Sequence, residues 1–106
     1  MAIRVTKTFT RPSKDIPLYR DEVMSENPDL FASYVKVAYV DTGLRTNFVR
    51  EESPDGLTVK YITEWRDQAA YDQFLNDPQC KGMFDLRRAH NKANSITTGQ
   101  GTVENI

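Results

Sequence analysis

Leu57-Thr-Val-Lys-Tyr-Ile-Thr-Glu-Trp65-Arg-Asp67-Gln-Ala-Ala-Tyr-Asp-Gln-Phe74-Leu75 decides the fold. Its first half alternates. Leu57, Val59, Tyr61, Thr63 and Trp65 fall on one face, and Thr58, Lys60, Ile62 and Glu64 on the other. Period-two alternation with β-branched and aromatic residues predicts a strand. Past Trp65 the period changes. Ala70 and Phe74, and likewise Tyr71 and Leu75, stand four apart, the spacing of one helical face. Asp67 stands where an N-cap is wanted. Asn76-Asp77-Pro78 ends the helix, because Asp77 before proline is pushed out of the α region.

Upstream, Ser53-Pro54-Asp55-Gly56 is the clearest turn in the chain. It joins a strand over Leu44–Glu52 to the first one as a hairpin. Ala2–Thr10 reads as an opening strand, with Ile3, Val5, Lys7 and Phe9 on one face and Arg4, Thr6, Thr8 and Thr10 on the other. Arg11-Pro12-Ser13 ends it. Asp15-Ile16-Pro17 predicts a short helix through Leu18, Tyr19 and Val23, since proline is tolerated in a first turn. Asn27-Pro28-Asp29 starts a further helix, with Leu30, Tyr34 and Ala38 on one face and Gly43 closing it in the left-handed region. Val35, Val37 and Val40 favour a competing strand over 35–40. The helix is preferred because it makes the order of elements regular. After Pro78 comes a helix with Met83, Phe84 and Leu86, and basic residues toward its end. Ile96–Glu104 is a last strand interrupted by glycine.

The order is strand, helix, strand, strand, helix, strand. This predicts an α+β, ferredoxin-like βαββαβ domain over residues 1–106, a four-stranded antiparallel sheet with helices on one face. The alternation places Ile62 opposite Tyr61 and Trp65, so the second face is expected to seek cover, most simply from a second copy.

The 14 Lys plus Arg against 15 Asp plus Glu give no electrostatic reason to expect nucleic acid or an anionic membrane. No stretch is apolar enough to span a bilayer or resemble a signal peptide. One cysteine, Cys80, excludes an intrachain disulfide and fits a reducing, cytoplasmic compartment.

The run Glu64-Trp65-Arg-Asp-Gln-Ala-Ala-Tyr-Asp-Gln-Phe74-Leu-Asn-Asp-Pro78 resembles the strand-to-helix segment of the dimeric α+β barrel superfamily, which includes antibiotic-biosynthesis monooxygenase-like domains. The resemblance implies a homodimer. It also makes a cofactor-independent monooxygenase acting on an aromatic substrate one candidate. Haem-degrading members place a Trp and an iron-ligating His where this chain has Phe74 and Phe84. They also carry an Asn on the first strand, where Ala2–Thr10 has none, so haem is disfavoured and no cofactor is expected. The opening strand and Tyr39-Val-Asp-Thr-Gly43 resemble small proteins of tailed phages, which leaves a phage accessory or virion role as a further alternative.

Among single residues, His90 has no carboxylate or cysteine three or four positions away to share a metal, so none is expected. It reads as a residue near a helix end. Cys80 reads as a small buried hydrophobe. Gly99-Gln-Gly101 marks a bulge rather than a phosphate cradle, since no helix follows it. Arg87-Arg88 with Lys92 reads as a solvated helix face. Trp65, Tyr61, Tyr34 and Phe74 form the candidate pocket for a small apolar ligand, against the simpler reading that they only fill the core. The expected function is a small homodimeric binding or structural module, with enzyme activity left open.

Overall fold

The computed structural model describes residues 1–19 and 31–106. The chain forms β1 (Ile3–Thr10), α1 (Ala32–Val35) continuing into a π-helical segment (Lys36–Val40), β2 (Arg45–Glu52), β3 (Thr58–Trp65), α2 (Gln68–Leu75), α3 (Lys81–Ala93), β4 (Thr97–Thr98) and β5 (Thr102–Asn105). The sheet runs β2-β3-β1-β4, and β5 also pairs with β1. Every recorded pairing is antiparallel. This is the ferredoxin-like order, with one difference. The last strand is two short strands, so the sheet has five strands rather than four. Gly99-Gln100-Gly101 separates them, and the Gly99 amide donates to the Thr8 carbonyl at 2.8 Å.

Segment 35–40 is helical, as preferred over the strand. Its last turn is wider than α: the Asp41 amide donates to the Lys36 carbonyl, five residues back, at 2.8 Å. The fully buried residue there is Tyr39, with Val35 beside it, whereas Ala38 is only partly buried. Gly43 has φ +79°, the left-handed conformation expected of a closing glycine. Among the described residues no atom would crowd a Cβ there. Gly43→Val should therefore cost about 1–2 kcal/mol through backbone strain alone, read as a lower urea midpoint with an unchanged slope. The start expected at Asn27-Pro28-Asp29 lies outside the described residues, as do Leu30 and Val23.

Asp15-Ile16-Pro17 departs from expectation. The Ile16 amide donates to the Ser13 carbonyl, and Arg11 Nη1 takes the Ile16 carbonyl at 2.8 Å. These bonds hold a turn where the helix was expected to start, and the first helical residue is Tyr19. Asp67 caps α2 as expected, its carboxylate accepting from the Ala70 amide at 2.8 Å.

The helix-side core divides in two. Ile3, Val5, Val35, Tyr39, Trp65, Ala70, Tyr71, Cys80 and Phe84 form one cluster. Phe9, Leu18, Val59, Tyr61 and Ile96 form the other. The opposite face is more polar than expected. Register places Arg4, Thr6 and Thr8 beside Glu64, Ile62 and Lys60, and Val49 beside Ile62. Ile62 and Val49 are its large apolar residues on these strands, and Arg4 bridges to Glu64 and Glu104.

Candidate functional site

β3 supplies the site's spine, because its inward residues reach both clusters. Trp65 is 1% exposed. Its ring meets Phe74 at 5.1 Å, Tyr71 at 5.3 Å and Tyr39 at 6.0 Å, and its indole N–H donates to Thr63 Oγ1 at 2.8 Å. Tyr34 stands edge-on to Tyr39 at 6.5 Å. The structure thus brings Trp65, Phe74 and Tyr34 into one aromatic cluster bridged by Tyr39. Tyr61, four residues before Trp65, belongs to the other cluster, with Phe9 at 5.4 Å and Phe48 at 5.7 Å.

Asp77 ties the first cluster shut. Its Oδ2 accepts from the Tyr34 hydroxyl at 2.5 Å and the Tyr39 hydroxyl at 2.6 Å. These bonds hold the carboxyl below its usual range, and they push Tyr34 up to about 12. A carboxylate whose folded pKa is depressed stabilises the fold above its unfolded pKa, and that contribution disappears as pH falls. Asp77→Asn should therefore lose less stability than the wild type between pH 7 and pH 3, followed by urea midpoints across the range. Cys80 is buried, and burial raises its thiol to about 11, which fits the expected hydrophobe.

Beside Tyr61 lies a hollow of about 10 Å³, the room for about one water, lined by Phe9, Leu18, Tyr19, Tyr61, Arg87 and Asn91. Arg87 stands over the Phe9 ring at 5.8 Å and the Phe84 ring at 5.4 Å. It is partly buried, unlike Arg88, which is exposed and pairs with Asp85. Register sets Lys7 opposite Tyr61, and Tyr61 opposite Arg50, so these three form a row on the helix side of the sheet. Arg50 pairs with Glu52 at 3.6 Å. Lys7 and Arg87 have no carboxylate partner among the described residues. Burial, with the Arg87 charge beside it, lowers Lys7 to about 8. The Tyr19 hydroxyl is buried with no hydrogen-bond partner among the described residues.

Sequence reasoning passed over this group. Arg87 reads as surface charge when grouped with Arg88 and Lys92. The usable signal was Lys7, a cation on the apolar face shared with Ile3, Val5 and Phe9, together with Phe84, Arg87 and Asn91 at helical spacing. His90 Nε2 lies 2.8 Å from the Pro17 carbonyl, a bond between segments. Among the described residues no group of three His, Cys, Asp or Glu could hold a metal. No described helix is long and apolar enough to cross a membrane.

The architecture is a ferredoxin-like α+β fold, and solved structures share it. SnoaB, a cofactor-independent oxygenase from Streptomyces nogalater, is similar with a TM-score of 0.64 and 15% identity, over 99% of this chain and 92% of that one. A dimeric ferredoxin-like protein from an uncultured marine organism gives 0.60 and 15%, over 99% and 96%. Rv0793 from Mycobacterium tuberculosis gives 0.59 and 16%, over 100% and 95%. At these identities the likeness is one of fold. No family model matches the sequence, and no curated protein matches it either.

Proposed function

We propose that this chain is a homodimeric small-ligand binding module whose Trp65 region is structural. The carrying observation is the contact of Trp65 with Tyr39, Tyr71 and Phe74, clamped through Tyr39 by Asp77. Those side chains occupy the space that a ring-sized ligand beside Trp65 would need. Homodimerisation is supported by the sheet face opposite the helices, where Ile62 and Val49 sit side by side, and by the similar structure described as dimeric. A two-fold pairing sets the same patch against itself. Such an interface should bury above ~1,000 Å² in total. A cytoplasmic location fits the single, buried, unpaired Cys80.

The alternative is a cofactor-independent oxygenase acting on an aromatic substrate, favoured by the description of SnoaB. It would use Trp65, Tyr61, Tyr34 and Phe74 around a substrate that itself activates oxygen. Trp65 is the sole tryptophan, so its emission reports that space directly. Titration with naphthols and anthrone-type phenols, with dissolved oxygen followed in parallel, separates the readings. The binding-module reading expects no saturable quench of Trp65 and no oxygen uptake. A saturable quench with stoichiometric oxygen consumption would replace it with the oxygenase.

A further inference from the structure

Tyr34 and Tyr39 share one carboxylate oxygen. Both hydroxyls donate to Asp77 Oδ2, at 2.5 and 2.6 Å. Side chains five positions apart on a plain α-helix point about 140° away from each other. The wide turn at Lys36–Val40, closed by the bond from the Asp41 amide to the Lys36 carbonyl, narrows that angle. The break between α2 and α3 brings Asp77 to the same place, where its Oδ1 accepts the Gln79 amide at 2.9 Å. Four of the five tyrosines, Tyr19, Tyr39, Tyr61 and Tyr71, are at most 9% exposed, whereas Tyr34 is partly open to solvent. The Asp77 bond pushes the Tyr34 hydroxyl up to about 12, so at neutral pH the phenol keeps its proton until its ring is oxidised. Removing an electron from a phenol makes its O–H strongly acidic. A base already bonded to that proton then takes it without rearrangement.

We propose that Tyr34 is a site of one-electron oxidation and radical modification, with Asp77 as its proton acceptor and a small inorganic radical, of the carbonate-radical kind, as the oxidant. The oxidant takes one electron from the Tyr34 ring and is reduced to carbonate. The phenolic O–H bond breaks and its proton moves to Asp77 Oδ2, leaving a neutral tyrosyl radical beside a carboxylic acid. Nitrogen dioxide, itself a radical, forms a C–N bond at the ring carbon next to the C–O. That carbon loses its hydrogen as a proton, while the phenol oxygen regains one from Asp77. The product is nitrotyrosine, and the carboxylate is restored. Tyr39 gives no such product, because its ring is wholly buried and neither radical reaches it. Its hydroxyl instead shares Asp77 and tempers it as a base. This chemistry neither needs nor excludes ligand binding, so it stands or falls apart from the binding-module function.

The test treats the full chain with peroxynitrite in bicarbonate buffer, which supplies carbonate radical and nitrogen dioxide together. Peptide mapping by mass spectrometry then quantifies nitration at each tyrosine. N-acetylimidazole, which acylates an accessible phenol oxygen without electron transfer, measures exposure in parallel. The wild type should be nitrated chiefly at Tyr34. Asp77→Asn should lower that nitration severalfold without lowering acetylation, since the amide still accepts a bond but does not take the proton. Tyr39→Phe keeps the buried ring and removes the competing donor, so it should raise Tyr34 nitration with acetylation unchanged. Nitration that follows acetylation in both variants would mean that exposure alone selects Tyr34, and would overturn the role of Asp77. Nitration spread evenly over the five tyrosines would overturn the site itself. Should Asp77→Asn fail to fold, Tyr39→Phe decides alone, and unchanged or lowered Tyr34 nitration there would overturn it.

Discussion

Trp65→Ala is expected to lower the unfolding free energy by about 3–5 kcal/mol, the range for truncating a large buried aromatic. Trp65 is almost wholly removed from solvent, and three aromatic rings lie within 6.0 Å of its centroid. Those rings cannot collapse into the void, because Asp77 fixes Tyr39 through its hydroxyl and β3 fixes the backbone. A domain of this size has a total stability of roughly 5–15 kcal/mol, so the variant should sit near the edge of folding. Urea unfolding followed by circular dichroism reads the effect, since the variant has no tryptophan. A loss near 1 kcal/mol would mean that the cluster is loosely packed, and would return the Trp65 space to the candidate pocket.

Arg11→Met should be nearly as damaging, at about 3 kcal/mol. Arg11 is 6% exposed and joins three separate segments. Its Nε donates to the Gly56 carbonyl and its Nη1 to the Ile16 carbonyl, both at 2.8 Å, while Nη2 pairs with Glu52. Methionine keeps much of the stem's packing but leaves both carbonyls unpaired. Glu52→Gln is the control. Its side chain is 42% exposed, so losing that charge should cost less than about 1 kcal/mol. Equal losses in the two variants would mean that the ion pair, not the carbonyl bonds, carries the clamp.

Much of the fold was legible because its signals are local. Alternation in β1 and β3, the Ser53–Gly56 turn, the Asp67 cap and the stop before Pro78 each depend on a few neighbouring residues. The preference for helix over strand at 35–40 came from the regularity of the whole order, since three valines argued against it. The π-helical turn that buries Tyr39 was not legible, because one widened turn shifts the face by less than the pattern can show. Leu75 was expected on the buried face of α2 and is 41% exposed, because only Ala70 and Tyr71 of that helix reach deep into the core. Of the residues proposed for the pocket, Trp65 and Tyr61 are buried, while Tyr34 and Phe74 are partly buried against the Trp65 cluster. That Tyr61 belongs to a different cluster depends on what packs above each, which period-two reasoning cannot see. Arg11 and the Lys7–Arg87 pair escaped notice for a related reason. A long basic side chain looks the same in sequence whether its head reaches water or turns into the fold.

The central claim is that this chain is a homodimer paired through the sheet face bearing Ile62 and Val49. Sedimentation equilibrium at low micromolar concentration, on the wild type and on Ile62→Glu, tests it most directly. The account predicts twice the chain mass for the wild type and the single-chain mass for Ile62→Glu, whose added charge would be buried against its own copy. A wild type that sediments as a clean monomer, with no self-association at tenfold higher concentration, would contradict it.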